Sequence, residues 1–179
     1  MATESIQVSG VINASPDRIY HAWLDSSEHS SMTGGRAEVD PMIGGQFTCW
    51  NGTIHGTTVE LEPGRRIVQR WRSDEFPAES PDSRLEVLLE PTDSGTRVTF
   101  LHSDIPEGQA SQLEEGWQKY YLDPMSSYFG MALIEAESPE ESQAKVEAPV
   151  MPKPAPKPQA KAGTVAKAGR KKSGSMGRT

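Results

Sequence analysis

Two histidines are the side chains whose type and position best fit acid–base chemistry. His55 and His102 each fall in a segment that predicts a β-strand, and counting alternate residues places both on the apolar face of that strand. An imidazole on such a face, with an ordinary pKa of about 6.5, could orient a ligand carbonyl or act as a general base. The alternative is that each is a hydrogen-bonded histidine of the core or of a cavity rim. No carboxylate alternates inward to complete a catalytic pair, so these two remain candidates only.

Other catalytic and metal-binding patterns are missing from the sequence. It has neither a Gly-x-Ser-x-Gly elbow nor a Gly-x-Gly-x-x-Gly loop. The histidines His21, His29, His55 and His102 lack the spacing of metal ligands on a helix or hairpin. Cys49 is the lone cysteine, which excludes an intrachain disulfide and a cysteine cluster. We therefore expect no metal and no cofactor.

The inward positions of the predicted strands and of a C-terminal helix together predict a ligand cavity. Plain core packing is the competing interpretation, because a body of this size needs most of its aromatic side chains for its core. The residues that we expect to contact a ligand are Phe47, His55, Trp71, Val87, Phe100, His102, Trp117 and Tyr121.

The N-terminal part of the body predicts one strand and a small helical unit. Residues 6–12 alternate with period two, as in a half-buried strand. Ser15-Pro16-Asp17 then has the chemistry of a helix start, and apolar residues at helical spacing continue it over residues 16–24. The polar segment 26–35 ends in two glycines, which predicts a short helical turn and a loop.

The middle of the chain predicts consecutive hairpins, hence an antiparallel meander. Asn51-Gly52 is its strongest two-residue hairpin signal, and Pro63-Gly64 marks the next turn. The predicted strands cover residues 46–50, 53–61, 66–72, 84–90 and 96–102.

The last patterned segment, residues 110–134, predicts a long helix that covers the apolar face of the sheet. Its aromatic residues recur at helical spacing, and Pro124 removes the hydrogen bond to the Tyr120 carbonyl and is expected to kink it. The order of strand, short helices, meander and long helix predicts an α+β fold, with a curved antiparallel sheet wrapped around the C-terminal helix.

Charge divides the 179-residue chain into an acidic body and a basic tail. Residues 1–134 carry 9 Lys/Arg and 20 Asp/Glu, whereas residues 135–179 carry 9 and 5. The tail is rich in Pro, Lys and Ala and has no aromatic residue, so we expect disorder. It is predicted either to bind nucleic acid non-specifically or to act as a solubilising or self-associating tail that pairs with the acidic body. The cations proposed for polyanion binding are Lys161, Lys167, Arg170, Lys171 and Lys172.

The sequence shows no signal for a membrane or for secretion. No apolar run approaches the roughly 20 residues that span a bilayer, and the N-terminus lacks the basic and apolar regions of a signal peptide. We therefore expect a cytoplasmic protein with no membrane partner.

Several short motifs, in order, resemble one known family. They are Ile-Asn-Ala-Ser-Pro at 12–16, Gly-Gly-Gln-Phe at 44–47, Leu-Glu-Pro at 61–63, Leu-His-Ser at 101–103 and Gly-Trp at 116–117. The body resembles the SRPBCC superfamily, also called START-like or birch-pollen-allergen-like, and within it the subfamily named for the C-terminal domain of the heat-shock-protein-90 ATPase activator. The resemblance implies a helix-grip domain, at residues 5–134, with a cavity between sheet and helix.

A fold of this kind does not by itself fix a function, so three hypotheses follow. The leading one is a non-catalytic binding protein for an apolar or amphipathic small molecule. The second is a small cyclase- or hydrolase-like enzyme that uses a cavity histidine. The third is a co-chaperone-like stress-response protein that binds a chaperone or another protein.

Overall fold

The computed structural model describes residues 2–136, and the predicted disordered tail lies outside this part except for its first two residues. Residues 2–136 form four α-helices, two short helical turns and seven strands, and one of the turns is the 3-10 turn Trp50–Gly52. The strands are β1 Thr3–Ile12, β2 Glu38–Val39, β3 Gln46–Cys49, β4 Ile54–Glu62, β5 Arg66–Ser73, β6 Ser83–Thr92 and β7 Gly95–Pro106. The helices are α1 Pro16–Leu24, α2 Ser26–Thr33, α3 Ala110–Trp117 and α4 Asp123–Ala136, and a π-helical turn, Gln118–Leu122, joins α3 to α4.

All the strands belong to one antiparallel sheet with the order β1-β7-β6-β5-β4-β3-β2. The predicted meander is confirmed from β3 to β7, and the last strand, β7, also pairs along most of its length with the first strand, β1. The inner face packs on α1, α3 and α4 in one core that contains Phe100, Trp117 and Phe129. This is the α+β arrangement that the sequence predicts, with two-residue β2 as an additional edge strand.

Capping residues explain where α1 and α2 begin. The Ser15 hydroxyl accepts a hydrogen bond from the Arg18 amide, and Pro16 is the first residue of α1, as expected. Asp25 caps α2 by accepting from the Glu28 amide at 2.8 Å, and Gly34 ends it in the left-handed conformation. The predicted short helical turn is a complete eight-residue helix, longer than expected, because both of its ends are capped.

A β-bulge in β4 corrects the predicted orientation of His55. The pairing of β4 with β5 shifts register between Thr58 and Glu60, so the inward positions change from even to odd numbers at that point. Gly56 lies opposite the buried Trp71, whereas His55 lies opposite Arg72 with a side chain that is 44% exposed. Counting every second residue through the bulge placed His55 on the wrong face.

The turn between β3 and β4 is longer than its sequence predicts. Instead of a two-residue Asn51-Gly52 turn, four residues connect the last paired residues, Cys49 and Ile54. The backbone has positive φ at Trp50 (53°), Asn51 (59°) and Gly52 (91°). Asn and Gly tolerate this region, but a bulky residue such as Trp adopts it only where surrounding contacts hold it.

The C-terminal helical segment, residues 110–136, contains Pro124 and is helical throughout. The Asp123 amide donates to the Gln118 carbonyl, five residues earlier, in the π-helical turn that precedes the proline. The missing proline donor falls directly after this locally wider turn, and the kink expected at Pro124 stays a prediction. The turn contains Tyr120 and Tyr121, so it sets the direction of both rings.

Candidate functional site

An open groove with a volume of about 280 Å³ lies between one end of the sheet and the C-terminal helical segment. The turn after β3, the adjoining ends of β4 and β5, and α3 form its walls. Five of the lining side chains are aromatic, which is the composition expected of a small-molecule site. The complete lining is Trp50, Thr53, Ile54, Trp71, Ser73, Glu75, Gln112, Leu113, Gly116, Trp117, Tyr120 and Tyr121.

Three buried aromatic side chains form the floor of the groove. Trp71, Trp117 and Tyr121 are each less than 5% exposed. The Trp117 ring centroid lies 4.6 Å from that of Tyr121 and 5.9 Å from that of Trp71. Phe100 stacks on Trp117 from below at 4.6 Å and fixes its plane. The floor is therefore rigid and apolar.

Two aromatic side chains that are more exposed than those of the floor form the rim. Trp50 and Tyr120 meet edge to face with their centroids 5.5 Å apart, and Tyr120 is 46% exposed. Gly35 lies directly behind Trp50, since a Cβ at that glycine would stand 2.5 Å from the indole atom Cε3. The positive φ of Trp50 is thus maintained by a ring wedged between a glycine and a tyrosine.

The polar side of the groove centres on one carboxylate. Glu75 follows β5, and the Gln112 amide of α3 donates to its Oε2 at 2.7 Å. The Glu75 backbone amide donates to the Ser73 hydroxyl at 3.2 Å. The bond to Gln112 links the loop after β5 to α3, and Glu75 shares the lining of the groove with the aromatic rim.

His102 lies behind the floor and is 1% exposed. The Trp117 indole N–H donates to its Nδ1 at 3.1 Å, which leaves the proton on Nε2. Ser83 uses its hydroxyl proton on the Trp71 carbonyl, so its oxygen accepts from His102 Nε2 at 2.7 Å. Burial lowers the pKa of His102 to about 3. Both ring nitrogens are therefore occupied, in a neutral imidazole.

A second buried imidazole was missed by the sequence analysis as a site residue. His29 Nδ1 donates to the Trp23 carbonyl at 2.8 Å, and its Nε2 lies 3.5 Å from the Cys49 sulfur. Burial lowers the pKa of His29 and raises that of Cys49 to about 12. The thiol is therefore protonated and donates to the imidazole, in contrast to the thiolate of a reactive cysteine.

The structure separates the predicted ligand residues into three groups. Trp71, Trp117 and Tyr121 line the groove, whereas His55 lies on the outer face of the sheet. The remaining four are packed in the core behind the groove: Phe47, Val87, Phe100 and His102. Contact of any of these residues with a ligand stays a prediction.

Sequence reasoning missed the residues that complete the groove from distant elements. Tyr120 belongs to the predicted helical pattern, but its partner Trp50 comes from a turn that was assigned to a strand end. Glu75 and Gln112 are polar residues in segments without a motif, and only their approach in space identifies them. Within residues 2–136, no group of three or more His, Cys, Asp or Glu side chains is arranged to hold a metal, and no helix is long and apolar enough to span a membrane.

Comparisons with known proteins agree with the resemblance that the sequence motifs indicate. The family model described as Activator of Hsp90 ATPase homolog 1-like protein matches residues 13–130. An Activator of 90 kDa heat shock protein ATPase homolog from Dictyostelium discoideum is 25% identical over 71% of this chain and 33% of its own length. The human Activator of 90 kDa heat shock protein ATPase homolog 1 is 24% identical over 65% of this chain and 34% of its own.

A solved structure shows the same fold. The crystal structure of an HSP90 activator from Plasmodium falciparum superposes with a TM-score of 0.65 at 22% identity, over 70% of this chain and 96% of that one. The matched curated relatives are much longer proteins, because the alignments span between 33% and 39% of their lengths.

Proposed function

This chain belongs to the Activator of Hsp90 ATPase homolog 1-like protein family, and we propose that its body acts by binding and not by catalysis. The proposed ligand is an apolar or amphipathic small molecule held in the groove between the sheet and α3. The observation that carries the proposal is a groove with an aromatic floor, next to a histidine whose two ring nitrogens are both hydrogen-bonded within the protein. A floor of Trp71, Trp117 and Tyr121 provides apolar contact area, while His102 is saturated by Trp117 and Ser83.

The bonding of His102 favours binding over acid–base chemistry. A general base needs a lone pair within reach of the substrate proton, and a general acid needs a pKa near the working pH. The Nδ1 lone pair already accepts from Trp117, and a pKa of about 3 keeps the ring neutral at physiological pH. A cyclase- or hydrolase-like enzyme, the alternative, would have to break this network before His102 could act.

Filling the groove from α3 tests the proposal. A Cβ at Gly116 would meet only the Tyr120 atom Cδ2, at an ordinary 3.8 Å, so a larger side chain here is expected to extend into the groove. We expect wild type to enhance the fluorescence of the neutral dye N-phenylnaphthylamine and Gly116→Leu to lose most of that enhancement. Gly130→Leu on α4 is the matched control, since nothing lies within 4 Å of its Cβ position and it does not line the groove.

Equal dye binding by wild type and both variants would place the dye elsewhere and reject the groove as the binding site. Native mass spectrometry of freshly purified protein gives an independent check. A co-purifying mass of a few hundred daltons that disappears in Gly116→Leu would identify a natural occupant of the groove.

Binding to a chaperone is a second candidate function, favoured by the names of the relatives as activators of the 90 kDa heat shock protein ATPase. Since the matches span about a third of those proteins, the activity of the whole relatives does not transfer directly. Stimulation of the ATPase rate of an Hsp90-type chaperone from the same organism would support this function. An unchanged rate, with no binding by calorimetry, would reject it.

A further inference from the structure

We infer that the ligand of the groove is an amphipathic cation, with an apolar body on the aromatic floor and an amine or alkylammonium group at the rim. This inference rests on the proposed binding function and adds the charge of the ligand to it. The structural basis is the combination of one carboxylate, two rim aromatics and a lining without a basic side chain.

The first argument is the charge of the lining. Among the described residues that line the groove, Glu75 is the only Asp, Glu, Lys or Arg. Gln112 holds Oε2 of Glu75 and thereby fixes the carboxylate beside the opening. A ligand carboxylate would meet this negative charge without a basic partner, whereas a ligand ammonium would form an ion pair with it.

The second argument is the chemistry of the rim. The faces of Trp and Tyr rings attract cations, and the attraction grows when water is partly excluded. Trp50 and Tyr120 meet at nearly right angles, with an interplanar angle of 67°, so they present differently oriented ring surfaces at the opening. The Lys119 ammonium lies 5.2 Å from the Tyr120 ring centroid, which is a cation–π contact within the protein itself.

The third argument is the charge that surrounds the groove. Acidic residues adjoin the lining residues in sequence on both walls: Asp74 precedes Glu75, and Glu114 and Glu115 lie between Leu113 and Gly116. Two cations adjoin the lining in the same way, Lys119 before Tyr120 and Arg72 between Trp71 and Ser73, and they partly offset these charges. The balance remains negative, which favours the approach of a cation.

The fourth argument is size. The groove volume of about 280 Å³ is near the lower end of the range of roughly 300–1,000 Å³ for small-molecule pockets. An aryl or short alkyl group therefore suits it better than a two-chain lipid. The ligand class is a monoamine or quaternary ammonium compound with one compact apolar group.

Three probes with the same apolar body separate charge from apolar contact. 4-Phenylbutylamine, 4-phenylbutanol and 5-phenylpentanoate share a phenyl ring and four methylene groups and differ only in the terminal group, and isothermal titration calorimetry at low salt measures each affinity. We expect the amine to bind about tenfold more tightly than the carboxylate, with the alcohol between them, because attraction is exchanged for repulsion at an exposed site. The preference for the amine should decrease at high salt.

Variants assign the preference to the groove. Glu75→Gln is expected to weaken amine binding about fivefold and to leave the alcohol unchanged, since an exposed ion pair contributes up to about 1 kcal/mol. Glu79→Gln is the matched control, because this exposed acid lies in the same loop but does not line the groove. Tyr120→Leu should also weaken amine binding more than alcohol binding.

The outcomes distinguish this inference from the proposed function. If the alcohol and the amine bind equally and Glu75→Gln changes neither, the cation preference is wrong while the groove remains a binding site. The same conclusion follows if the carboxylate binds most tightly. If none of the three probes binds and the dye does not bind either, the proposed function itself fails, and this inference fails with it.

Discussion

Replacing His102 by Gln should flatten the dependence of stability on acid pH. The folded protein holds this imidazole neutral with a pKa of about 3, whereas the unfolded chain exposes a histidine with a pKa of about 6.5. The unfolded state therefore takes up a proton first as the pH falls. The stability that His102 provides is complete above pH 6.5 or so and is lost progressively toward a pH of about 3.

The size of the effect follows from the two pKa values. Between the two values the free energy of unfolding changes by up to about 1.4 kcal/mol per pH unit. Because the unfolded histidine is already half protonated at about pH 6.5, a decrease to about pH 4.5 should cost about 2 kcal/mol through His102 alone. Gln cannot titrate in this range, and its amide can both accept from the Trp117 indole and donate to Ser83. A loss of packing would lower the starting stability of the variant at every pH, and its curve should still be flatter by that amount.

Urea unfolding at several pH values, followed by tryptophan fluorescence, measures the difference between the two curves. Carboxylates and the buried His29 contribute to both proteins, so they cancel in the comparison. Parallel curves for wild type and His102→Gln would refute the neutral, doubly bonded imidazole. A long-range proton–nitrogen NMR correlation of wild type provides an independent check, because the structure requires the proton on Nε2 of His102.

Two further predictions concern glycines and the cysteine. Gly35→Ala should destabilise the protein by about 1–3 kcal/mol and change the fluorescence of Trp50, because the new Cβ would lie 2.5 Å from the indole ring. Gly130→Ala, in open space on α4, should instead stabilise the protein by up to about 1 kcal/mol. Urea unfolding measures both changes, and effects of the same sign would contradict the described packing. Cys49, with its pKa raised to about 12 by burial beside His29, should resist a thiol reagent such as DTNB at mildly alkaline pH until urea unfolds the chain, and rapid labelling of the native protein would contradict its burial.

The order of elements was predictable because it depends on local patterns. The caps at Ser15 and Pro16 predicted α1 with the same boundaries that the structure has, and the turn residues separated the strands of the meander. The helical spacing of Trp117 and Tyr121 predicted that both rings face the sheet, and both are buried there. These features follow from residues within a few positions of each other.

The orientation of His55 was not predictable by the same means. Alternation fixes a side chain only relative to its neighbours, and the bulge between Thr58 and Glu60 changes the count by one residue. A bulge depends on the pairing with β5 and has no clear signal in β4 itself. One extra residue thus exchanged the predicted inward histidine for Gly56, whose Cβ position lies 2.7 Å from the Phe47 ring.

The sequence by itself determined the family of folds, the acidic body and the aromatic residues available to a groove. Only the tertiary structure decided which of them form it. Trp50, Glu75 and Tyr120 come from three separate elements, and their convergence depends on the strained turn after β3 and on the π-helical turn before Pro124. Local propensities act over a few residues, whereas a site is defined by distances between segments that only the folded chain brings together.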